Sequence, residues 1–500
     1  MTGAGTRGDD RDGSTGVTVA VIGGGIGGLS AAWEITTAAP GANVVVLESG
    51  DRFGGKLHTG EIGGRAVDLG PDAFLARRPE AVGLCRELGL GDELVSPGSR
   101  VAYVWARGKL RRLPNGLALG VPTRLGPLAR SGILSPLGVG RAAIDLAGLA
   151  STRPSEGSRG SDRPVATITR RRLGRQVTAR LVDPLIGGIH AGDTAQMSAA
   201  AVFPALLDAA ARGGSLMRAL RPATTSASTA TTGPDATHRD EPPVFHAVRG
   251  GLSRLVDTLA GELRTRGVDL RLKTPVQRLE LHVDQAAGRW VLHTPGGTID
   301  ADAVVIATPA PTASALLEPV DHTAAALVGA IDYADVTLVT LQMPAGSLGN
   351  TLDGTGFLVP ASTGCLITAC TWLTSKWPEL HRPGDVLLRA STGRFGDDRA
   401  GHLSDDEIVQ RVLQDLRPML GLRSPPIEAV VTRWSEAFPQ YRVGHTERVS
   451  KVEQAVSRLP ALALAGAAYH GVGIPACIAS GRRAAGAVLG RPVAAGLTTT

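Results

Sequence analysis

Five hundred residues, 43% of them apolar, are enough chain for two or three domains with large cores and point to a globular protein. The formal charge of +6 comes almost wholly from arginine, aromatics make up 3%, and the one tight basic cluster is Arg170-Arg171-Arg172. Without a basic stripe interleaved with stacking aromatics, nucleic acid is excluded as a partner.

Residues 1–16 are polar and glycine-rich, reading as a disordered tail with no apolar core of a signal peptide. Then VTVAVI (17–22) reads as a buried strand, and it breaks into Gly23-Gly24-Gly25-Ile26-Gly27-Gly28 before the helical text LSAAWEITTA. In the spacing Gly23-x-Gly25-x-x-Gly28, the first glycine permits a tight turn, the second lets backbone approach a pyrophosphate, and the third packs helix on strand. Free N–H groups at the helix start then face the phosphates. A second strand, NVVVLE, ends on Glu48, an acid placed to accept hydrogen bonds from ribose hydroxyls and to repel a 2′-phosphate. A bound dinucleotide is expected.

Downstream, Asp51-Arg52-Phe53-Gly54-Gly55-Lys56 offers exposed N–H groups and a cation for phosphate, and Asp68-Leu69-Gly70-Pro71-Asp72-Ala73 reads as a turn that brings backbone close to a flat ligand. PEAVGLCRELGL reads as an amphipathic helix closing the segment 17–90. Residues 91–210 are expected to form a helical lobe, with a flexible loop at 151–163, and 211–243 a low-complexity insert whose polar part is RPATTSASTATTGPDATHRDEPP. A helix (GGLSRLVDTLAGELRTRG) and strands (VDLRLKTPVQRLEL, WVLHTP, DAVVIATPA) fill 244–330. Strand text (DVTLVTLQM, CLITACTW, DVLLRAST) with the helix SDDEIVQRVLQDLRPML fills 331–430, and 431–490 ends in a strand, LALAG, a turn at Gly471 and Gly473, and a helix opened by Pro475. That helix presents its positive end to whatever lies at the turn.

The element Arg52-x-Gly54-Gly55-Lys56, following Glu48, resembles that of two-dinucleotide-binding flavoproteins of the amine-oxidase-like group, which implies FAD in place of NAD. GGKLHT (54–59), DLGPDAF (68–74), GGIHAGDTAQMS (187–198), AVRGGLSRLVDTLA (247–260) and YHGVGIPACIASGRRAA (469–485) extend the resemblance over most of 17–490. The chain is similar to the protoporphyrinogen/coproporphyrinogen oxidase family, and its GGK and GPDA variants resemble the bacterial, coproporphyrinogen-type branch. GGIHAGD separates that family from phytoene desaturases and amine oxidases. The resemblance implies an α/β fold: a Rossmann-like FAD domain from 17–90, 244–330 and 431–490, a mixed-sheet substrate domain over 331–430, and the helical lobe. It places FAD contacts at Gly23 to Gly28, Glu48, Ser49, Lys56, Gly70, Pro71, Asp72 and Ala73, with Val276 at the adenine through its backbone and Gly473, Ile474 and Pro475 beside the flavin. Arg100 matches a position that meets a substrate carboxylate in relatives.

The implied reaction is oxygen-dependent, six-electron oxidation of a porphyrinogen, with coproporphyrinogen III preferred and a contact with the downstream haem-pathway enzyme in prospect. No side chain is nominated as catalytic acid or base, because pyrrole N–H protons can leave as imine tautomers form, and His190 reads as a hydrogen-bonding core residue. Protoporphyrinogen IX oxidase stays open as an alternative, as do a desaturase or an amine oxidase holding FAD covalently at Cys477, and a non-catalytic flavin-sensing protein. The histidines and the four scattered cysteines (Cys85, Cys365, Cys370, Cys477) show no metal-ligand spacing and suit a reducing compartment. No stretch reaches roughly 18 uninterrupted apolar residues. The expectation is a cytoplasmic protein, with the lobe as a place of peripheral membrane contact.

Overall fold

A computed structural model describes residues 16–149, 161–221, 242–284 and 287–490. Residues 1–15, the centre of the 151–163 loop and the polar stretch 222–241 lie outside the described residues, and with them most of the expected tail, loop and insert.

Runs such as VVVL and AVVI carry apolar side chains at every position, so a strand made of them must be covered on both faces. The five strands concerned form one parallel sheet, in spatial order Asp269–Arg271, Asn43–Leu47, Thr18–Ile22, Ala303–Ile306 and Leu462–Leu464. On one face Val19, Val21, Val44, Val46 and Val305 pack against the helices Ile26–Ala38, Ser253–Thr265 and Ile474–Val488. On the other, Ala20, Ile22, Val45, Leu47 and Val304 meet Leu279, Trp290 and Leu292 of an antiparallel three-stranded meander, together with the helices Ala310–Leu317 and His322–Gly329. Trp290 is fully buried and satisfies its indole N–H on the Pro460 carbonyl at 2.9 Å. The text VDLRLKTPVQRLEL therefore divides: 269–271 extends the parallel sheet, and 278–284 starts the meander.

Two glycines set how tightly this domain closes. A Cβ on Gly28 would stand 1.9 Å from the Gly23 carbonyl oxygen, and one on Gly481 would stand 2.0 Å from that of Gly27. The first and last helices of the domain thus touch backbone to backbone, with no side chain tolerated between them.

The second sheet has seven strands, in the order Glu428–Pro439, Tyr333–Pro344, Asp385–Thr392, Ile367–Trp372, Gly356–Leu358, Tyr103–Ala106 and Lys109–Arg112. Only the contact of Gly356–Leu358 with Tyr103–Ala106 is parallel. One face is covered by the helix Asp405–Leu420, whose Ile408, Val412 and Leu416 pack on Val339, Leu341, Leu388 and Ala390. This sheet corrects two expected boundaries. Residues 103–112, assigned to the helical lobe, are its edge strands, and 431–439, assigned to the FAD domain, pair along Tyr333–Pro344. In both places a strand is claimed by a partner distant in sequence, which local periodicity does not report.

Among the described residues the lobe is mainly helical between Leu125 and Ala219. Residues 211–221, placed in the insert, finish its last helices. Its centre holds Asp145, fully buried, which accepts from Arg172, Ser215 and the N–H groups of Leu216 and Met217.

A second buried carboxylate joins the hairpin 59–68 to the helix Ser253–Thr265. Asp68 accepts from the Thr59 hydroxyl at 2.6 Å and the Leu252 N–H at 2.8 Å, while Thr59 and Ser253 exchange hydrogen bonds of their own. Burial pushes its carboxyl up to about 6, against the lowering effect of those donors. The folded state therefore binds the Asp68 proton more tightly than the unfolded chain does. Stability from this group is fully present below about pH 4 and is lost as pH rises to about 6. Asp68→Asn keeps an acceptor for both donors, so its stability relative to the native protein should increase between about pH 4 and pH 7, by up to about 3 kcal/mol. A flat difference across that range, measured by calorimetry, refutes the assignment.

Candidate active site

All five parallel strands end on the same edge, and the expected segments at Gly23, Glu48 and Val276 follow on from three of them. Residues after strand termini at a topological switch point are where open α/β sheets bind ligands. Gly23 follows Thr18–Ile22, its N–H bonded to the Leu47 carbonyl at 2.8 Å, with φ of 107°. Gly25 caps the helix Ile26–Ala38, and a Cβ built on it meets nothing within 4 Å. The tip of the turn is thus open, in contrast to Gly28 beneath it. That is the cradle a pyrophosphate needs, with the N–H groups of a thirteen-residue helix behind it.

Glu48 leaves the adjacent strand and accepts from the N–H of Gly24 and of Gly50, both at 2.7 Å. Ser49 lies beside it, its hydroxyl 3.3 Å from the same carboxylate. The segment after Asp269–Arg271 is held against this acid, since the Lys273 and Thr274 N–H groups donate to the carbonyls of Gly50 and Glu48. Val276 follows, half-buried, and its backbone makes no hydrogen bond among the described residues, which suits main-chain recognition of an adenine.

Across the glycine turn, the Gly54 N–H donates to the Gly24 carbonyl at 2.8 Å and brings Lys56 alongside. Arg52 does not share the phosphate role expected of either cation, because its guanidinium donates to the carbonyls of Phe53, Gly55 and Leu57 and so shapes the loop itself. Lys56 is left as the cation of this element. Burial lowers its ammonium pKa, while Cys477 and Glu436 act in the opposite direction. The Cys477 thiol is pushed up by burial to about 11, so at neutral pH it is neither thiolate nor nucleophile, which disfavours covalent flavin attachment there.

The turn 70–73 is packed from the same side. A Cβ on Gly70 would stand 2.1 Å from the Lys56 carbonyl oxygen, and the Trp434 indole donates to the Leu69 carbonyl at 2.8 Å. Pro71 is exposed at the tip and Ala73 half-buried. Asp72 departs from expectation. Its carboxylate turns into the seven-stranded sheet, where Lys376 (2.8 Å), the Trp377 indole (3.0 Å) and Arg389 (3.1 Å) take it up. Burial alone would raise this carboxyl, but the two cations hold it well below the usual range. Asp72 can meet a cofactor only through its backbone. Arg389 also donates to the carbonyls of Asp68 and Gly70 at 2.7 and 2.9 Å.

Gly473 caps the helix Ile474–Val488, with Ile474 and Pro475 as its first residues, and a Cβ on Gly27 would lie 3.5 Å from the Cys477 carbonyl oxygen. The two helix starts thus converge on one cleft edge. The donor set fits a flavin dinucleotide: an acid and free backbone at the adenosine end, an open turn and Lys56 at the centre, glycine-rich turns and a helix N-terminus at the far end.

Arg100 lies apart from this cluster. It is exposed just before the strand Tyr103–Ala106, next to the edge of the seven-stranded sheet, and its guanidinium donates to the Pro242 carbonyl at 2.8 Å. His190, in GGIHAGD, has a buried Nδ1 without a hydrogen bond among the described residues, and burial pushes its imidazole down to about 4. Neither acid nor satisfied core residue, it is a neutral ring about 6.0 Å from that of Tyr441. Two clefts lie elsewhere, about 390 Å³ beside Arg442 and Arg448 and about 300 Å³ between the 64–68 and 247–251 segments. Missed in the sequence were Trp434, Arg389, Lys376 and Tyr441, each in strand-like or loop text whose partners come from another domain.

The family model for flavin containing amine oxidoreductases matches residues 26–489. Coproporphyrinogen III oxidase of Bacillus subtilis is 33% identical over 93% of this chain and 96% of its own length. That of Propionibacterium freudenreichii is 35% identical over 95% and 91%. Bovine protoporphyrinogen oxidase is 30% identical over 95% and 99%. A solved protoporphyrinogen-oxidase-type structure from Exiguobacterium sp. 255-15 superposes with a TM-score of 0.81 at 31% identity, covering 96% of this chain and all of that one. Cyclohexylamine oxidase of Brevibacterium oxydans shares the fold, with a TM-score of 0.62 at 18% identity. With a family model that matches along nearly its whole length and relatives 30–35% identical over most of both chains, the chain belongs to the flavin containing amine oxidoreductases.

Proposed function

We propose that this protein is an FAD-dependent oxidase converting coproporphyrinogen III to coproporphyrin III in haem biosynthesis. The observation that carries the reading is its near-full-length similarity, at 30–35% identity, to bacterial proteins of that activity. Protoporphyrinogen IX is the second reading, favoured by the comparable match to the bovine enzyme. Bound FAD supplies a two-electron acceptor, which oxygen reoxidises with release of hydrogen peroxide. The chain's own part is to hold and orient. The Gly23–Gly28 turn and Lys56 bind the pyrophosphate, Glu48 and Ser49 the ribose, and Val276 the adenine, while Gly70–Ala73 and Gly473–Pro475 border the flavin. Protons leave the pyrrole nitrogens as imines form, with no side chain assigned as base.

Among the described residues no helix is long and apolar enough to cross a membrane. The helix Pro136–Leu146 does expose Leu137, 86% accessible, with Ile144 two turns along, and Leu149, 80% accessible, follows just beyond its end, apolar surface suited to transient contact with a lipid surface. Contact with the next haem-pathway enzyme belongs to the same reading.

These assignments have direct tests. Glu48→Ala should weaken FAD binding by about 1–3 kcal/mol, the loss of a charged hydrogen-bond partner. Unchanged titration of the apoprotein with FAD excludes Glu48. The purified holoprotein, given coproporphyrinogen III and protoporphyrinogen IX separately, should show a higher kcat/KM for the former by porphyrin fluorescence. Arg100→Ala should raise KM for coproporphyrinogen by roughly tenfold, the equivalent of one propionate contact, with the flavin spectrum intact. Equal kcat/KM for the two substrates removes the preference, and absence of any fluorescent product removes the activity. Carbonate should release the protein from membranes without detergent, and retention in the pellet would contradict peripheral attachment.

A further inference from the structure

Tyr441 is buried, yet its hydroxyl serves main chain and not another side chain. It donates to the Ala467 carbonyl at 2.5 Å and accepts from the Gly471 N–H at 2.7 Å. Burial raises its phenol well above the usual range, so it stays protonated and able to donate. Ala467 and Gly471 bracket the short helix Ala467–His470, which runs directly into Gly473 and the helix Ile474–Val488. Gly471 has φ of 137°, and a Cβ there would stand 2.8 Å from that of Ala476, so the turn is doubled back on the first turn of the long helix. A chain reversal of this kind needs an external anchor, and a hydroxyl, both donor and acceptor, satisfies its two ends at once.

The remainder of Tyr441 is fixed from other directions. Its ring stacks on His445 at 3.9 Å and 13°, and His445 Nε2 lies 3.1 Å from the Tyr469 carbonyl oxygen of the same short helix. Its carbonyl accepts from the Ser198 N–H at 2.8 Å, at the end of the GGIHAGDTAQMS segment of the lobe. The preceding residue, Gln440, donates its amide to the His190 carbonyl at 3.0 Å.

We propose that Tyr441 is a positioning residue for the flavin, its hydroxyl fixing the Gly471–Gly473 turn and thereby the aim of the Ile474–Val488 N-terminus, while its backbone ties that turn to the lobe at Ser198. The inference rests on the placement of Gly473–Pro475 at the flavin. The helix N-terminus carries partial positive charge within its first turn only, so a displacement of the turn changes how well an anionic reduced flavin is stabilised.

The test uses the FAD-loaded full chain and Tyr441→Phe, which keeps the stack on His445 and removes the hydroxyl. Two main-chain groups lose their partner, so the FAD dissociation constant should rise about tenfold. The flavin absorption spectrum should shift, and its reduction potential should become more negative. Gln440→Leu, which loosens the same junction without touching the turn, should lower Tm while leaving spectrum and potential in place. If both variants lower Tm and neither moves the potential, Tyr441 is only structural and the proposal falls. Should Tyr441→Phe fail to fold, a difluorotyrosine at the same position alters the strength of the hydroxyl as donor and acceptor at nearly constant shape. An unchanged potential there overturns the proposal equally. If the native chain takes up no FAD, the cofactor placement fails first, a different outcome from a variant indistinguishable from the native holoprotein.

Discussion

The arrangement of this molecule turns on one arginine. Arg389 sits in the middle of the seven-stranded sheet, 6% accessible, and reaches across the domain boundary to two carbonyls and one carboxylate of the 68–72 turn. A guanidinium placed there is costly to desolvate unless acceptors and a counter-ion meet it. The turn supplies them to Nη1 and Nη2, because Asp72 faces away from the cofactor edge, while Nε stays buried without a partner among the described residues. Lys376 and the Trp377 indole N–H donate to the other oxygen of the same carboxylate. Loss of the Asp72 carboxylate would leave Arg389 and Lys376 buried without their counter-ion, at about 3–5 kcal/mol, so this one acid fixes which way the turn faces the sheet.

The geometry of the cleft edge follows from that tie. The parallel sheet brings the glycine turn, Glu48 and the 273–276 segment together by strand order alone, but the far end needs the second sheet. Trp434 and Arg389 press the 69–72 turn into place, and Tyr441 holds the 471–473 turn. One end of the site is thus built by one domain, and the other by two acting on each other.

How much of this was legible depended on whether a signal was local. VTVAVI-GGGIGG, NVVVLE and AVVI were readable because strands buried on both faces leave unbroken apolar runs, and the fingerprint glycines are forced by backbone contact. The helix Asp405–Leu420 was readable as a whole in SDDEIVQRVLQDLRPML, and the structure adds a capping box at Ser404 and Glu407 at its start. The strands at 103–112 were not readable, being four residues each and flanked by Pro, Gly and Arg, with their partners some 250 residues away. Arg389 was hidden in DVLLRAST, since alternation places a side chain on a face without saying what that face meets. Asp72 was read at the correct turn, but the direction of its carboxylate depended on cations over 300 residues distant.

The strand Leu462–Leu464 closes the edge of the parallel sheet next to Ala303–Ile306, and the flavin-side helix comes after it. During synthesis from the N-terminus, the ribosome has therefore made some nine-tenths of the chain before the last strand and the turn at 471–473 exist at all. The glycine cradle is among the first elements to emerge, and it waits for the final ones. Closure of this edge is in this sense a late event, and a chain terminated before it would carry the glycine fingerprint without the 471–473 turn and the helix that face it.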